Sequence, residues 1–120
     1  MVIKELMNLN CFSSKESIYV APAGGAAERF VDGIREKRPD VDVSGFLDSF
    51  KSGGEVTRVD QVDETQKEKR VVVVIEKAAI RKCLVDTLQQ NGFTDLCWVG
   101  TNFSLWVEDE MEEDALYLFY

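Results

Sequence analysis

The sequence predicts an α/β domain built on a mainly parallel sheet of about five strands, with helices on both of its faces. Short β-prone segments alternate with amphipathic helices in the order β-α-β, loop, β-α-β, which is typical of parallel strands joined by right-handed crossovers. The uninterrupted β-branched run at residues 71–75 also favours a central strand that is covered on both faces. We expect one domain over residues 1–120, with its core in residues 17–99.

The first half of the chain contains a strand-turn-helix-strand unit. Residues 17–21 are rich in β-formers and bounded by turn residues, which predicts a buried strand. Pro22 ends this strand, and residues 26–38 then predict a helix that stops before Pro39. A second strand over residues 41–47 ends near Asp48. Before the first strand, apolar residues between positions 2 and 9 predict a short N-terminal helix, followed by a connection that reaches residue 16.

The second half repeats the alternation after a glycine-containing loop at residues 49–55 and a short extended piece that begins at residue 56. The strand at residues 71–75 leads into a helix over residues 78–91, whose apolar face consists of Ile80, Leu84 and Leu88. A last strand lies around residues 96–98. Residues 100–120 form an acidic and aromatic extension, and its apolar end at residues 116–120 predicts an edge strand, a homodimer contact or a junction to a longer parent protein.

Charge and composition exclude several classes of function. The chain carries 22 acids, 14 bases and no histidine, which argues against binding to nucleic acid or to an anionic membrane and removes the commonest general base. Six of the acids lie within residues 108–114, so the preceding residues hold 16 acids against 14 bases. A nearly neutral body of this kind can still accept one small phosphorylated ligand.

The cysteines and the apolar runs of the sequence predict where in the cell the protein is found. The three cysteines are odd in number and widely spaced, which argues against a disulfide framework and against a zinc site. Cys83 and Cys97 lie in apolar segments, as buried reduced thiols do. No run is long enough to cross a membrane, and the N-terminus lacks the features of a signal peptide. These observations favour a cytoplasmic protein.

The turn after the first predicted strand carries the strongest functional signal. In a doubly wound sheet this turn lies where ligands bind, and a phosphate there meets the free N–H groups of the next helix. Ala23, Gly24, Gly25 and Ala26 form the turn, and Asp48 follows 22 residues after Ala26, in the position of an acid that binds ribose. Ala21 and Ala23 replace the first two glycines of the dinucleotide fingerprint. Two interpretations therefore stay open, a phosphate-binding turn and a tight connection that needs small residues for packing.

The combination of this turn with the segment Gly45-Phe46-Leu47-Asp48 resembles the N-terminal Rossmann-like domain of sugar O-acyltransferases that modify nucleotide-linked amino sugars. Related domains precede some methyltransferases and other glycan-biosynthesis enzymes. The likeness extends over residues 18–99. It implies a Rossmann-like three-layer fold and a cleft for a nucleotide-diphosphate sugar. By this resemblance, residues 24–26 line the cleft and Asp48 anchors the ligand, and the catalytic part of those enzymes has no counterpart here.

Lys77 and Arg81 extend the candidate site to the start of the second helix, where a cation is unfavourable unless an anion lies nearby. Solvated surface charge is the alternative for both residues. The sequence thus predicts a domain that binds a nucleotide or nucleotide sugar and is not catalytic by itself. The other hypothesis is a protein-interaction or oligomerisation module that has kept the fold and lost the ligand.

Overall fold

The computed structural model describes residues 3–104 and confirms the predicted α/β class. A six-stranded sheet, parallel throughout, carries an α-helix on each face. The strands are β1 (Lys4–Glu5), β2 (Ser17–Ala21), β3 (Asp42–Asp48), β4 (Val56–Arg58), β5 (Arg70–Val74) and β6 (Leu96–Val99), and the helices are α1 (Gly25–Lys37) and α2 (Ala78–Gln90). The predicted edge strand at residues 116–120 lies outside the described residues.

The strands lie side by side in the order β1-β6-β5-β2-β3-β4. After β2, the chain adds β3 and then β4 on one side of this strand. It then returns to the other side of β2, where it forms β5 and β6. This order is that of a doubly wound, Rossmann-like sheet. Its topological switch point lies between β2 and β5, where the chain changes direction.

The alternation of side chains along β2 divides the core into two layers. Ile18 and Val20 face α1, whereas Tyr19 and Ala21 face α2, and all four are buried. A fully buried aliphatic side chain of this kind contributes roughly 1.5–3 kcal/mol to stability. Both faces of the central strands are therefore apolar, which explains why residues 71–75 are an uninterrupted run rather than an alternating one.

Helix α1 differs by one residue at each end from its prediction. Ala27, Phe30 and Ile34 lie on its buried face and pack on the sheet. At its C-terminus the backbone N–H of Arg38 donates to Ile34 O at 2.6 Å, one residue before Pro39 prevents the helix from continuing. The described residues contain no helix of the length and apolarity that crossing a membrane requires.

The predicted N-terminal helix is wrong. Residues 4–5 instead form β1, which pairs in parallel with β6, and the backbone N–H of Leu6 donates to Trp98 O at 2.8 Å. A 3₁₀ turn follows at Leu9–Cys11, and Leu6 and Leu9 are buried. The segment is extended because the edge of β6 supplies its hydrogen bonds, and β1 raises the number of strands to six.

The β3–β4 connection makes a parallel pair without an intervening α-helix. β3 is irregular beside β2, because Ile18 pairs with Val43 whereas the next residue of β2 pairs with Gly45. Gly45 has a φ of 145°, and a Cβ there would lie 2.6 Å from Glu55 O. The N–H of Phe46 donates to that same oxygen at 2.8 Å. Glycine is therefore required at this position both by its backbone conformation and by the close approach of the returning chain.

Helix α2 confirms part of its predicted apolar face. Leu84 and Leu88 are buried against the sheet, but Ile80 is 55% exposed and Cys83 is also exposed. The prediction that Cys83 is buried is therefore wrong. Ile80 lies in the first turn of α2, and it lines an open cavity with Cys83 instead of packing on a strand.

Candidate functional site

The candidate site lies at the carboxyl edge of the sheet, next to the switch point. The turn at residues 22–24 follows β2, Asp48 ends β3, and Glu76 and Lys77 follow β5. Because the strands are parallel, these segments all meet at the same edge of the sheet. The structure therefore brings Asp48 next to the turn that contains Ala23, as the sequence predicts.

Asp48 is 6% exposed, and its carboxylate is occupied by backbone groups. Its Oδ2 accepts hydrogen bonds from the N–H of Phe50 at 2.9 Å and of Lys51 at 2.8 Å. Burial alone would raise the pKa of this carboxyl. Those two N–H groups and that of Ala23 outweigh burial and hold its pKa below the usual value. Asp48 thus stabilises the loop after β3 and links it to the turn after β2.

The start of α1 presents backbone donors that the helix itself does not use. The first hydrogen bond of the helix runs from the N–H of Glu28 to Gly24 O at 2.9 Å, so the N–H groups of Gly25, Ala26 and Ala27 have no partner within the helix. A Cβ at Gly24 would meet no atom within 4 Å, and the backbone there is extended. Packing does not require a glycine at this position, and the space beside it is open.

The two cations predicted at the start of α2 differ in their surroundings. Arg81 donates to Ile75 O at 3.1 Å and to Glu76 O at 2.9 Å, and its guanidinium lies 3.6 Å from the centre of the Trp98 ring. These contacts hold the end of β5 against β6. Lys77 is exposed and precedes the first residue of α2. Of the two, Arg81 has a structural role that its sequence position does not reveal.

A cavity of about 590 Å³ opens beside the turn on the α2 side of the sheet. Three strand ends bound it, and its lining includes Ala23 from the turn and Lys51 from the loop after β3. Its rim carries two exposed apolar side chains, Phe50 at 89% and Ile80 at 55%. A concave apolar surface with a few polar groups is typical of a small-molecule site.

The lining of this cavity includes residues that the sequence-based candidate set lacks, among them Phe50, Lys51, Ile80 and Cys83. The sequence favours core or interface packing for Phe50, but its side chain lies outside the core. The position of Phe50, two residues after an acid that ends a strand, is the signal that could have identified it. Phe50 is exposed because it lies in the loop between β3 and β4, where no helix follows β3 to cover it.

Metal binding and thiol chemistry find little support in the described part of the chain. Within residues 3–104, no group of three or more cysteine or acidic side chains is arranged to hold a metal ion. Cys11 is half-buried and Cys97 is buried, and burial raises their pKa values to about 11 and about 12. Thiols with such pKa values are poor nucleophiles. The geometry therefore favours binding at the carboxyl edge over covalent chemistry by these thiols.

Comparison with protein-family models, with curated proteins and with solved structures finds no match to this chain. The resemblance to the nucleotide-sugar domains of O-acyltransferases therefore remains a prediction. At the carboxyl edge, a cavity with exposed apolar side chains on its rim lies beside the turn that leads into the unused N–H groups of α1.

Proposed function

We propose that this domain binds a nucleotide, or the nucleotide part of a nucleotide-diphosphate sugar, and has no catalytic role of its own. The observation that carries this proposal is the 590 Å³ cavity beside the turn that precedes α1, at the switch point of a doubly wound sheet. Each part of such a ligand has a matching surface there.

The base packs against the apolar rim formed by Phe50 and Ile80. Phe50 is 89% exposed, and burying its ring against a planar base removes apolar area from water and adds stacking. The lining also includes Leu84 and Ile75, which extend the apolar floor. This part of the site tolerates different bases, because each base has a π-face.

The phosphate binds at the first turn of α1. The N–H groups of Gly25 and Ala26 lack intrahelical partners and lie at the positive end of the helix dipole. The open space beside Gly24 lets an oxygen approach the backbone closely. In this arrangement Asp48 positions the turn and is not a ligand for the ribose, which differs from the role that the resemblance implies.

Thiol protection is a direct test, because Cys83 lies in the wall of the cavity and is exposed. A bound nucleotide covers it. We expect nucleoside diphosphates or diphosphate sugars to slow its reaction with a maleimide about tenfold at about ten times their Kd. Calorimetry with the same panel gives the affinities. The proposal is refuted if these compounds, at millimolar concentration, neither protect Cys83 nor give heat of binding.

One matched pair of variants and one further variant locate the ligand. Phe50→Ser should weaken binding, whereas Met7→Ser, which alters an exposed apolar residue away from the cavity, should leave it unchanged. Gly24→Ala should weaken binding of phosphorylated compounds with a change in stability below about 1 kcal/mol, because its Cβ meets only open space. Equal affinities for the Phe50→Ser and Met7→Ser variants would contradict the assignment of the cavity.

The exposed pair Phe50 and Ile80 also favours a second candidate function, a module that associates with another copy of the chain. An apolar rim of this kind is a feature of protein interfaces. Sedimentation of the full chain distinguishes the two candidate functions. An interaction module would sediment as a dimer that Ile80→Ser weakens and Gly24→Ala does not affect, whereas a nucleotide-binding domain would lose ligand affinity in both variants.

A further inference from the structure

A second cavity, of about 430 Å³, opens at the same edge of the sheet but on the α1 face. The first turn of α1 separates it from the 590 Å³ cavity, since Ala26 lines the smaller one and Ala23 lines the larger. Strands β5 and β6 supply the remaining walls through Val74 and Val99. Phe50 and Ile80, the proposed base-binding residues, line only the larger cavity and do not account for the smaller one.

The walls of this cavity are mainly apolar and aromatic. Phe30 and Phe103 meet edge to face, with their ring centres 5.1 Å apart, and both line the cavity. Gly100 keeps the end of β6 free of a side chain, because a Cβ there would collide with the carboxylate of Glu76. These walls are suited to the flat or compact apolar body of a small organic molecule.

Arg29 is the cation of this cavity. It has no hydrogen bond or ion pair with any residue between positions 3 and 104, whereas every other arginine of the chain has at least one. Its guanidinium folds back over the start of α1, where Nη1 lies 3.3 Å from the position that a Cβ on Gly25 would occupy. A cation at the positive end of a helix is destabilising unless an anion binds there.

Glu76 also lines the cavity, and its charge is opposite to that of Arg29. Its Oε2 accepts the N–H of Thr101 at 2.8 Å, which fixes the carboxylate on the β6 side. No ion pair joins Glu76 to Arg29 within the described residues. The electrostatic potential therefore directs the negative group of a ligand towards Arg29 and its uncharged part towards the phenylalanines.

We propose that this cavity binds a small organic anion, with its carboxylate or phosphate on Arg29 and its apolar body against Phe30 and Phe103. A guanidinium suits either oxyanion because it donates two parallel hydrogen bonds. The site uses a different cavity and different side chains from the proposed nucleotide site, and the two share only the backbone of the first turn of α1.

Titration of the full chain with three probes of similar size tests this proposal. Phenylacetate carries a carboxylate, phenyl phosphate carries a phosphate, and 2-phenylethanol has the same ring without a charge. We expect the preferred anion to bind at least about tenfold more tightly than the alcohol, as a charge-assisted hydrogen bond would give. Amide shifts in a ¹H–¹⁵N spectrum should appear at Ala26 and Thr101, while the maleimide reactivity of Cys83 stays unchanged.

Arg29→Gln should remove the preference for the anion over the alcohol, whereas Arg35→Gln, on the same helix and paired with Glu55 at 3.3 Å, should retain it. Ala26→Leu places a larger side chain in the cavity from an exposed position, and it should weaken the binding of all three probes. The proposal fails if no probe binds at about 10 millimolar. It also fails if the alcohol binds as tightly as the anions, or if Arg29→Gln and Arg35→Gln behave alike.

Discussion

Glu76 Oε2 accepts a hydrogen bond of 2.8 Å from the backbone N–H of Thr101, and this contact joins the loops that follow β5 and β6. Asp48 does the same for the loop after β3. The acids at these strand ends therefore stabilise backbone turns. What remains for a ligand at the carboxyl edge is a set of helix N–H groups, apolar walls and cations, which together favour anionic molecules with an apolar part.

Replacing Asp48 by Ala should lower the free energy of unfolding by about 2–3 kcal/mol, because the N–H groups of Phe50 and Lys51 lose their acceptor. Urea denaturation measures this change. Asp60→Ala is the matched control, since Asp60 is exposed and pairs with Arg58 at the surface. If the two variants lose similar stability, Asp48 does not hold the loop.

The contribution of Asp48 should depend on pH. Its pKa is lower in the folded protein than the ordinary value of 3.8, so the stabilisation is present above that value and disappears as pH falls through the lower folded pKa. The stability difference between the wild type and Asp48→Asn should therefore be largest near neutral pH and shrink below about pH 4. Urea titrations at several pH values test this, and a difference independent of pH would contradict it.

Gly45→Ala should destabilise the domain by more than about 2 kcal/mol. The substitution places a Cβ 2.6 Å from Glu55 O, at a backbone φ of 145°. Gly53→Ala provides a control for backbone strain alone, because Gly53 has a φ of 125° and open space around it. Thermal unfolding of both variants should show a lower Tm for Gly45→Ala, and the reverse order would mean that β4 adjusts to the added methyl group.

The parallel sheet could be predicted because its evidence is local. The β-branched run at residues 71–75 and the apolar face of α1 each identify an element, and the alternation of elements fixes their connection. β1 could not be predicted in this way. Its two residues are extended only because Lys4 and Glu5 pair with Cys97 and Trp98, more than 90 positions away in the chain.

The candidate site shows the same division between local and distant information. The position of Asp48 at the end of a strand follows from the sequence pattern, and the structure places it beside Ala23 as expected. The partners of its carboxylate are backbone N–H groups of a loop, and the residue types in the sequence do not reveal such contacts. Arg81 likewise gives no sequence signal of its position over Trp98, since that contact depends on how α2 packs beside β6.

The three cysteines should differ strongly in reactivity in the folded protein. Burial raises the pKa of Cys11 to about 11 and that of Cys97 to about 12, so both are almost fully protonated near pH 8, whereas Cys83 is exposed on α2. A disulfide reagent such as DTNB should therefore modify one thiol rapidly and the others slowly. Cys83→Ser should abolish the rapid phase, and Cys11→Ser should preserve it. Similar rates for all three thiols of the native protein would contradict the burial of Cys97 in the core on the α1 face of the sheet, because only access of the reagent to the core would equalise them.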